Sequence, residues 1–101
     1  MNYIAELNTF YDMLPTRRLS PTAIALYNLL MHLANRARWP STFSVAEATL
    51  TSALGVSGST FRRARAELTA AGIIQHERRR GRQAPVYKFV GLSTKRPDPR
   101  G

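Results

Sequence analysis

Apolar residues recur along the first part of the chain at the three- and four-residue steps of amphipathic helices. The first predicted helix spans residues 2–14 and ends at Pro15, because proline disfavours a helical conformation in the residue before it. The second begins at Ser20, an N-cap followed by proline at the first helical position, and runs to about Arg38. Apolar side chains cover most of this second helix, which predicts that it is the central helix of the core.

Two shorter helices joined by a tight turn are predicted next. Ser44 and Glu47 have the S-x-x-E spacing of a capping box, which predicts a third helix that ends at about residue 54. An N-cap at Ser57 begins the fourth helix, residues 58–71, and the glycine that follows ends it. Two helices separated by Leu-Gly-Val-Ser are typical of a helix-turn-helix.

Beyond the fourth helix, two β-rich runs flank a basic loop. The runs are residues 73–74 and 86–90, and the loop RRRGRQ occupies residues 78–83, so the pattern predicts a β-hairpin. Residues 93–101 contain two prolines and mixed charges, which predicts a disordered tail or the start of a linker. We therefore expect one α+β domain over residues 1–92, a winged helix-turn-helix with an extra N-terminal helix and a β-hairpin wing.

The charge balance of the 101 residues favours a polyanionic partner. Fifteen Lys and Arg stand against six Asp and Glu, a net charge of +9, so nucleic acid and an anionic membrane both qualify. The longest mainly apolar stretch, residues 23–37, is too short to span a membrane and is interrupted by polar side chains. Residues 1–14 contain no cation and do not resemble a secretory signal, so we expect a cytoplasmic protein.

The residue types needed for catalysis or metal binding are sparse. The chain has no cysteine, which excludes disulfides and cysteine-based nucleophiles or metal sites. Its two histidines are far apart in sequence, its six acids are scattered, and no nucleophile–base pair is suggested. We expect no metal, no cofactor and no enzymatic activity.

Candidate DNA contacts lie on the fourth helix and in the basic loop. In a helix-turn-helix the second helix enters the major groove, where arginine reads guanine and hydroxyl groups bond phosphates or bases. Residues 57–88 hold eight cations and two acids, or six of the nine net positive charges. An arginine run is often only a solvated face, but joint placement on helix and wing favours binding. The candidate residues are Ser57, Ser59, Thr60, Arg62, Arg63, Arg78, Arg79, Arg80, Arg82, Gln83 and Lys88.

The first helix is predicted to contact protein and not DNA. Residues 1–16 hold two acids and no basic side chain, so phosphates would repel them. Because a winged-helix core is complete with the later helices, part of the apolar face should stay exposed and support a homodimer or larger assembly. The alternative is a monomer in which all six apolar side chains pack onto the second helix. These side chains are Tyr3, Ile4, Leu7, Phe10, Tyr11 and Leu14.

Three strings make the chain resemble the N-terminal winged-helix domain of DnaD-like replication proteins. They are MNYIAELNTFYDML at the start, LSPTAIALYNLLMHLANRARWP at 19–40 and GRQAPVYKFV at 81–90. The resemblance covers about residues 1–92, whereas residues 54–74 would match many winged-helix regulators. It implies a role in replication initiation, with DNA binding, self-association and contact with a replicative helicase or its loader. Such proteins usually carry a separate helical C-terminal domain, to which nothing in these residues corresponds.

Two other functions fit the same fold. A dimeric transcriptional repressor would place two recognition helices about 34 Å apart and bind a palindromic operator. The other is a winged helix used only for protein contacts. A strong salt dependence of DNA binding would argue against it.

Overall fold

The computed structural model describes residues 3–91, which form four α-helices and three strands. The helices are α1 (Tyr3–Arg17), α2 (Pro21–Arg36), α3 (Glu47–Leu54) and α4 (Gly58–Ala70). The strands are β1 (Phe43–Ser44), β2 (Ile74–Glu77) and β3 (Val86–Phe89), which form an antiparallel sheet in the order β1-β3-β2. The predicted α+β class is confirmed. No helix in this range is long and apolar enough to cross a membrane, and the predicted tail, 93–101, lies outside the described residues.

Serine hydroxyls cap two of the helices as the sequence predicts. The Ser20 hydroxyl accepts a hydrogen bond from the backbone N–H of Ala23 at 3.1 Å, and the Ser57 hydroxyl accepts one from that of Thr60 at 3.2 Å. Each bond satisfies a backbone donor that has no partner within the first turn of its helix. Between α3 and α4, Gly55 is left-handed with φ +69°, which reverses the chain direction. These local signals set where α2 and α4 begin.

The predicted capping box of the third helix is wrong. Ser44 lies in β1, where it pairs with Val86, and the N-cap of α3 is Ala46, which makes no side-chain capping bond. The extended backbone that pairs with β3 carries Ser44 away from the first turn of α3. The pairing of Ser44 with β3 therefore prevents the capping that its sequence spacing predicts. The predicted end of this helix at Leu54 is confirmed.

The ends of α1 and α2 also differ from the sequence prediction. Helix α1 continues through Pro15 to Arg17, because a proline in the last turn removes only one backbone hydrogen bond, and its fixed φ is compatible with a helix. Helix α2 ends at Arg36, two residues before the predicted end. Arg38 and Trp39 are left-handed, and the Trp39 N–H donates to the carbonyl of Ala34 at 2.9 Å. This closure packs the Trp39 ring against aromatic rings of α1 and β3.

The core lies between α2, α4 and the inner face of the sheet. Tyr87 of β3 is buried there beside apolar side chains from both helices. Glu67 joins the two helices, because its carboxylate accepts hydrogen bonds from the backbone N–H and the hydroxyl of Ser20 at 2.8 and 2.6 Å. The fully buried side chains with the largest volumes are Tyr27, Tyr87, Phe10, Phe61, Leu26, Leu30, Met31, Leu50, Leu68, Ile73 and Ile74.

Helix α1 completes this core, contrary to the expectation that the later helices suffice. Phe10 is 0% exposed, and its ring stacks on that of Tyr27 with centroids 3.8 Å apart. Tyr3, Leu7 and Leu14 are partly buried against the same cluster. Only two of the six side chains predicted to mediate self-association are largely exposed, Ile4 at 67% and Tyr11 at 47%.

Phe10→Ala should lower the free energy of unfolding by about 3–5 kcal/mol, since it removes a fully buried aromatic ring from a packed core. Ile4→Ala on the same helix should change it by less than about 0.5 kcal/mol, because the Ile4 side chain is mostly in solvent. Urea denaturation followed by circular dichroism measures both. Equal effects of the two substitutions would show that α1 does not belong to the folded core.

Candidate nucleic-acid interface

An arginine-lined cleft lies between the helix pair α3–α4 and the loop that joins β2 to β3, residues 78–85, here called the β2–β3 loop. Its volume is about 410 Å³. Four arginines and one acid line it, so the cleft carries a net positive charge. We call it the arginine cleft, and its lining residues are Glu47, Arg62, Arg65, Arg78, Arg79, Gly81, Gln83 and Pro85.

The fold therefore brings part of the predicted site together. Arg62 of α4 and three residues of the basic loop, Arg78, Arg79 and Gln83, line the same cleft although they are distant in sequence. Lys88 does not join them. It pairs with Gln75 and lines a separate depression on the sheet.

Hydroxyl groups cluster at the N-terminus of α4. The Ser57 hydroxyl contacts the hydroxyls of Ser59 and Thr60 at 3.2 and 3.0 Å, in addition to its capping bond. Ser57 and Ser59 are exposed, whereas Thr60 is partly buried. Backbone N–H groups at a helix N-terminus favour anions, so this first turn suits a phosphate or the acceptor edge of a base.

Arg62 already has an acidic partner. Its Nη1 donates to Oε1 of Glu47 at 2.7 Å, which forms a salt bridge between α4 and α3. The guanidinium lies over the start of α4, where a Cβ added to Gly58 would be 3.0 Å from Nη1. The salt bridge thus holds the guanidinium of Arg62 near the start of α4, although the side chain is 56% exposed. Arg63, one residue further along α4, is exposed and lies outside the cleft lining.

The arginines of the β2–β3 loop divide into two kinds. Arg79 is exposed but makes two hydrogen bonds to the protein: its Nε donates to the carbonyl of Ala84 at 2.8 Å, and its Nη2 donates to the hydroxyl of Ser44 at 3.0 Å. It therefore ties the loop to itself and to β1. Arg80 and Arg82 are exposed and lie outside the cleft lining. The sequence predicts one common role for these arginines, whereas their contacts differ.

Arg65 is the one arginine of the cleft lining that is not among the site residues predicted from the sequence. Its side chain is only 8% exposed, its Nη1 donates to the Tyr87 hydroxyl at 3.2 Å, and its guanidinium lies 5.0 Å from the centre of the Phe61 ring. Position 65 is four residues after Phe61 and three before Leu68, so helical spacing places it on the inward face. That spacing is the signal that could have identified it.

His76 reports the positive field beside the cleft. Burial lowers the pKa of His76 below its usual value, and the charges of Arg65 and Arg78 lower it further. Its Nδ1 lies 3.4 Å from the Thr69 hydroxyl of α4. The neutral imidazole is therefore the favoured form near neutral pH.

Other kinds of site find little support in the described residues. Within the range 3–91, no group of three or more His, Asp or Glu side chains is placed to hold a metal ion. The predicted protein-contact surface on α1 is reduced to Ile4 and Tyr11, and the Tyr11 hydroxyl accepts a hydrogen bond from the Asn28 amide at 3.0 Å. The arginine cleft is the better-defined candidate site.

Comparison with known proteins identifies no relative of the chain. No protein-family model matches it, and no curated protein or solved structure matches it either. The function is therefore argued from the geometry and charge of the arginine cleft.

Arg79→Ala should loosen the β2–β3 loop, because it removes the hydrogen bonds to Ala84 and Ser44. We expect higher backbone mobility across residues 80–84 in ¹⁵N relaxation, with order parameters falling toward about 0.6. Arg80→Ala is the matched control, since its exposed side chain makes no such contacts and its loss should leave the loop unchanged. Equal mobility in the two variants would contradict this role of Arg79.

Proposed function

We propose that this chain is a DNA-binding winged-helix module whose α4 enters the major groove and whose β2–β3 loop acts as the wing. The observation that carries the proposal is the arginine cleft, in which residues of α4 and of the loop present guanidinium groups to one space. Duplex DNA presents phosphates on both sides of a groove. A helix and a loop with positive charge between them can therefore contact the groove and its backbone together.

The distribution of acids supports the same orientation. Glu67 lies on α4, but its carboxylate bonds Ser20 and is not part of the cleft lining. The acids of α1, Glu6 and Asp12, are also outside the lining. Glu77 directly precedes the loop but lines the separate depression on the sheet, so Glu47 is the one acid within residues 3–91 that lines the cleft.

We assign different roles to the two parts of this surface. Arg63 and the hydroxyls of Ser59 and Thr60 lie on the exposed part of α4 or near its N-terminus, where side chains reach base edges. Arg80 and Arg82 are exposed in the loop and would neutralise phosphates. Sequence preference would come from α4, and most of the binding free energy from the backbone contacts.

The resemblance to DnaD-like proteins extends this proposal to replication initiation. On that basis the module would bring DNA to a larger assembly that includes the replicative helicase or its loader. A repressor with the same fold would instead protect a palindromic operator. Footprinting on random duplex, forked DNA and selected palindromes distinguishes these two roles, because only the repressor requires a dyad.

Glu47→Gln should tighten binding to duplex DNA about fivefold, since unit charges about 4 Å apart interact by about 1 kcal/mol in water. The substitution removes the acid of the cleft and leaves Arg62 without its ionic partner. Asp12→Asn makes the same change in net charge on α1, outside the cleft, and should have a smaller effect. Fluorescence anisotropy with a labelled duplex measures both. The cleft is not the interface if Asp12→Asn tightens binding as much as Glu47→Gln does.

Binding to duplex DNA should weaken steeply with salt. For about four to six neutralised phosphates, log K should fall with log salt at a slope of roughly −4 to −5. Replacing Arg80 and Arg82 together by Ala should weaken binding to all sequences alike and make the slope shallower by about 2, one phosphate for each arginine. A slope near zero for the parent chain would refute DNA binding and favour a module for protein contacts.

A further inference from the structure

Arg65 is a nearly buried cation, and the groups that its guanidinium contacts are neutral. Its guanidinium bonds the Tyr87 hydroxyl and lies over the Phe61 ring, and no carboxylate within residues 3–91 forms a salt bridge with it. Burial of a charge without a counterion is costly, and arginine cannot lose its proton to avoid that cost. A bound anion would supply the missing counterion.

The position of Arg65 shows where such an anion would bind. Arg65 lines the arginine cleft together with Arg62, Arg78 and Arg79, so four arginines border one space. The acid of the cleft, Glu47, is 2.7 Å from Arg62 and therefore balances that arginine. The other arginines of the lining, Arg65, Arg78 and Arg79, form no salt bridge with Glu47 and leave the cleft positively charged.

We propose that Arg65 and Arg78 form a discrete phosphate-binding subsite at the junction of α4 and the β2–β3 loop, with Tyr87 as its positioning residue. Guanidinium groups match the oxygens of a phosphate with paired N–H donors. Tyr87 is buried and holds Nη1 of Arg65, which fixes the direction of the remaining donors. The proposal rests on the proposed function only for the source of the phosphate, which is then a phosphodiester of the DNA backbone.

His76 provides a reporter for this subsite. The charges of Arg65 and Arg78 lower its pKa in the free protein. An anion between them would offset those charges, so phosphate binding should raise the pKa of His76. If Arg65 only stabilised the fold, the pKa of His76 would not change when phosphate is added.

The test is an NMR titration of the 101-residue chain with inorganic phosphate, compared with chloride at equal ionic strength. We expect saturable shifts of the Arg65 side-chain and Tyr87 resonances, and a phosphate-dependent rise of the His76 pKa. Arg65→Gln should weaken phosphate binding at least about tenfold, as expected for loss of a charged hydrogen-bond donor. Arg36→Gln removes an exposed arginine at the end of α2 and should change it less than about twofold.

Tyr87→Phe keeps the buried ring and removes only the hydroxyl that orients Arg65. It should weaken phosphate binding about threefold. If Arg65→Gln does not fold, the phosphate affinity of Tyr87→Phe tests the subsite in its place. A labelled duplex forms the second arm of the experiment. The subsite is refuted, while DNA binding stands, if the duplex binds tightly but phosphate moves neither Arg65 nor His76. Phosphate binding that weakens in Tyr87→Phe as expected supports the subsite even if no duplex binds, in which case only the proposed function fails.

Discussion

The position of Tyr87 between α4 and the sheet determines the shape of the surface on which the functional argument depends. Its ring is buried, and its neighbours in the sheet are the rings of Phe43 and His76. Its hydroxyl holds Arg65 of α4. One side chain thus connects the helix to β3 and so to the loop that follows β2. The arginine cleft lies beside this contact, since Arg65 lines it and the loop that leads into β3 forms its other wall.

The electrostatic organisation of the molecule depends as much on where its acids are bonded as on the number of its arginines. Glu67 could have opposed the cations of α4, but it is bonded to Ser20 at the start of α2. Glu47 is the acid that remains in the cleft, and it holds Arg62 against α4. Side chains that look equivalent in the sequence therefore contribute differently to the field above the cleft.

Features set by neighbours along the chain could be predicted, and features set by distant contacts could not. The Ser20 and Ser57 caps act within one turn, so their spacing in the sequence is sufficient. Ser44 also has the spacing of a cap, but pairing with β3 decides its conformation. The sequence groups Phe10 with five other apolar residues of the first helix as a contact surface that stays partly exposed, because nothing local shows that the Tyr27 ring packs against Phe10.

The candidate site follows the same rule. The sequence predicts the helix and the loop that border the cleft, because arginine density and helical spacing are local properties. It does not predict which arginines make contacts within the protein. Ser44 and the carbonyl of Ala84 accept the N–H groups of Arg79, and Arg65 is buried beside the Tyr87 hydroxyl and the Phe61 ring.

The hydrogen bonds between Glu67 and Ser20 limit which positions of α4 can be substituted without loss of contacts to α2. The carboxylate of Glu67 accepts two hydrogen bonds from Ser20 at the N-terminus of α2. A substitution of either residue therefore removes contacts between α4 and α2. We expect the two positions to covary among any relatives. New recognition preferences would then arise at the exposed positions of α4, such as Ser59, Arg63 and Ala66. Substitutions in the C-terminal half of α4 would be restricted at Glu67, because this residue bonds the start of α2.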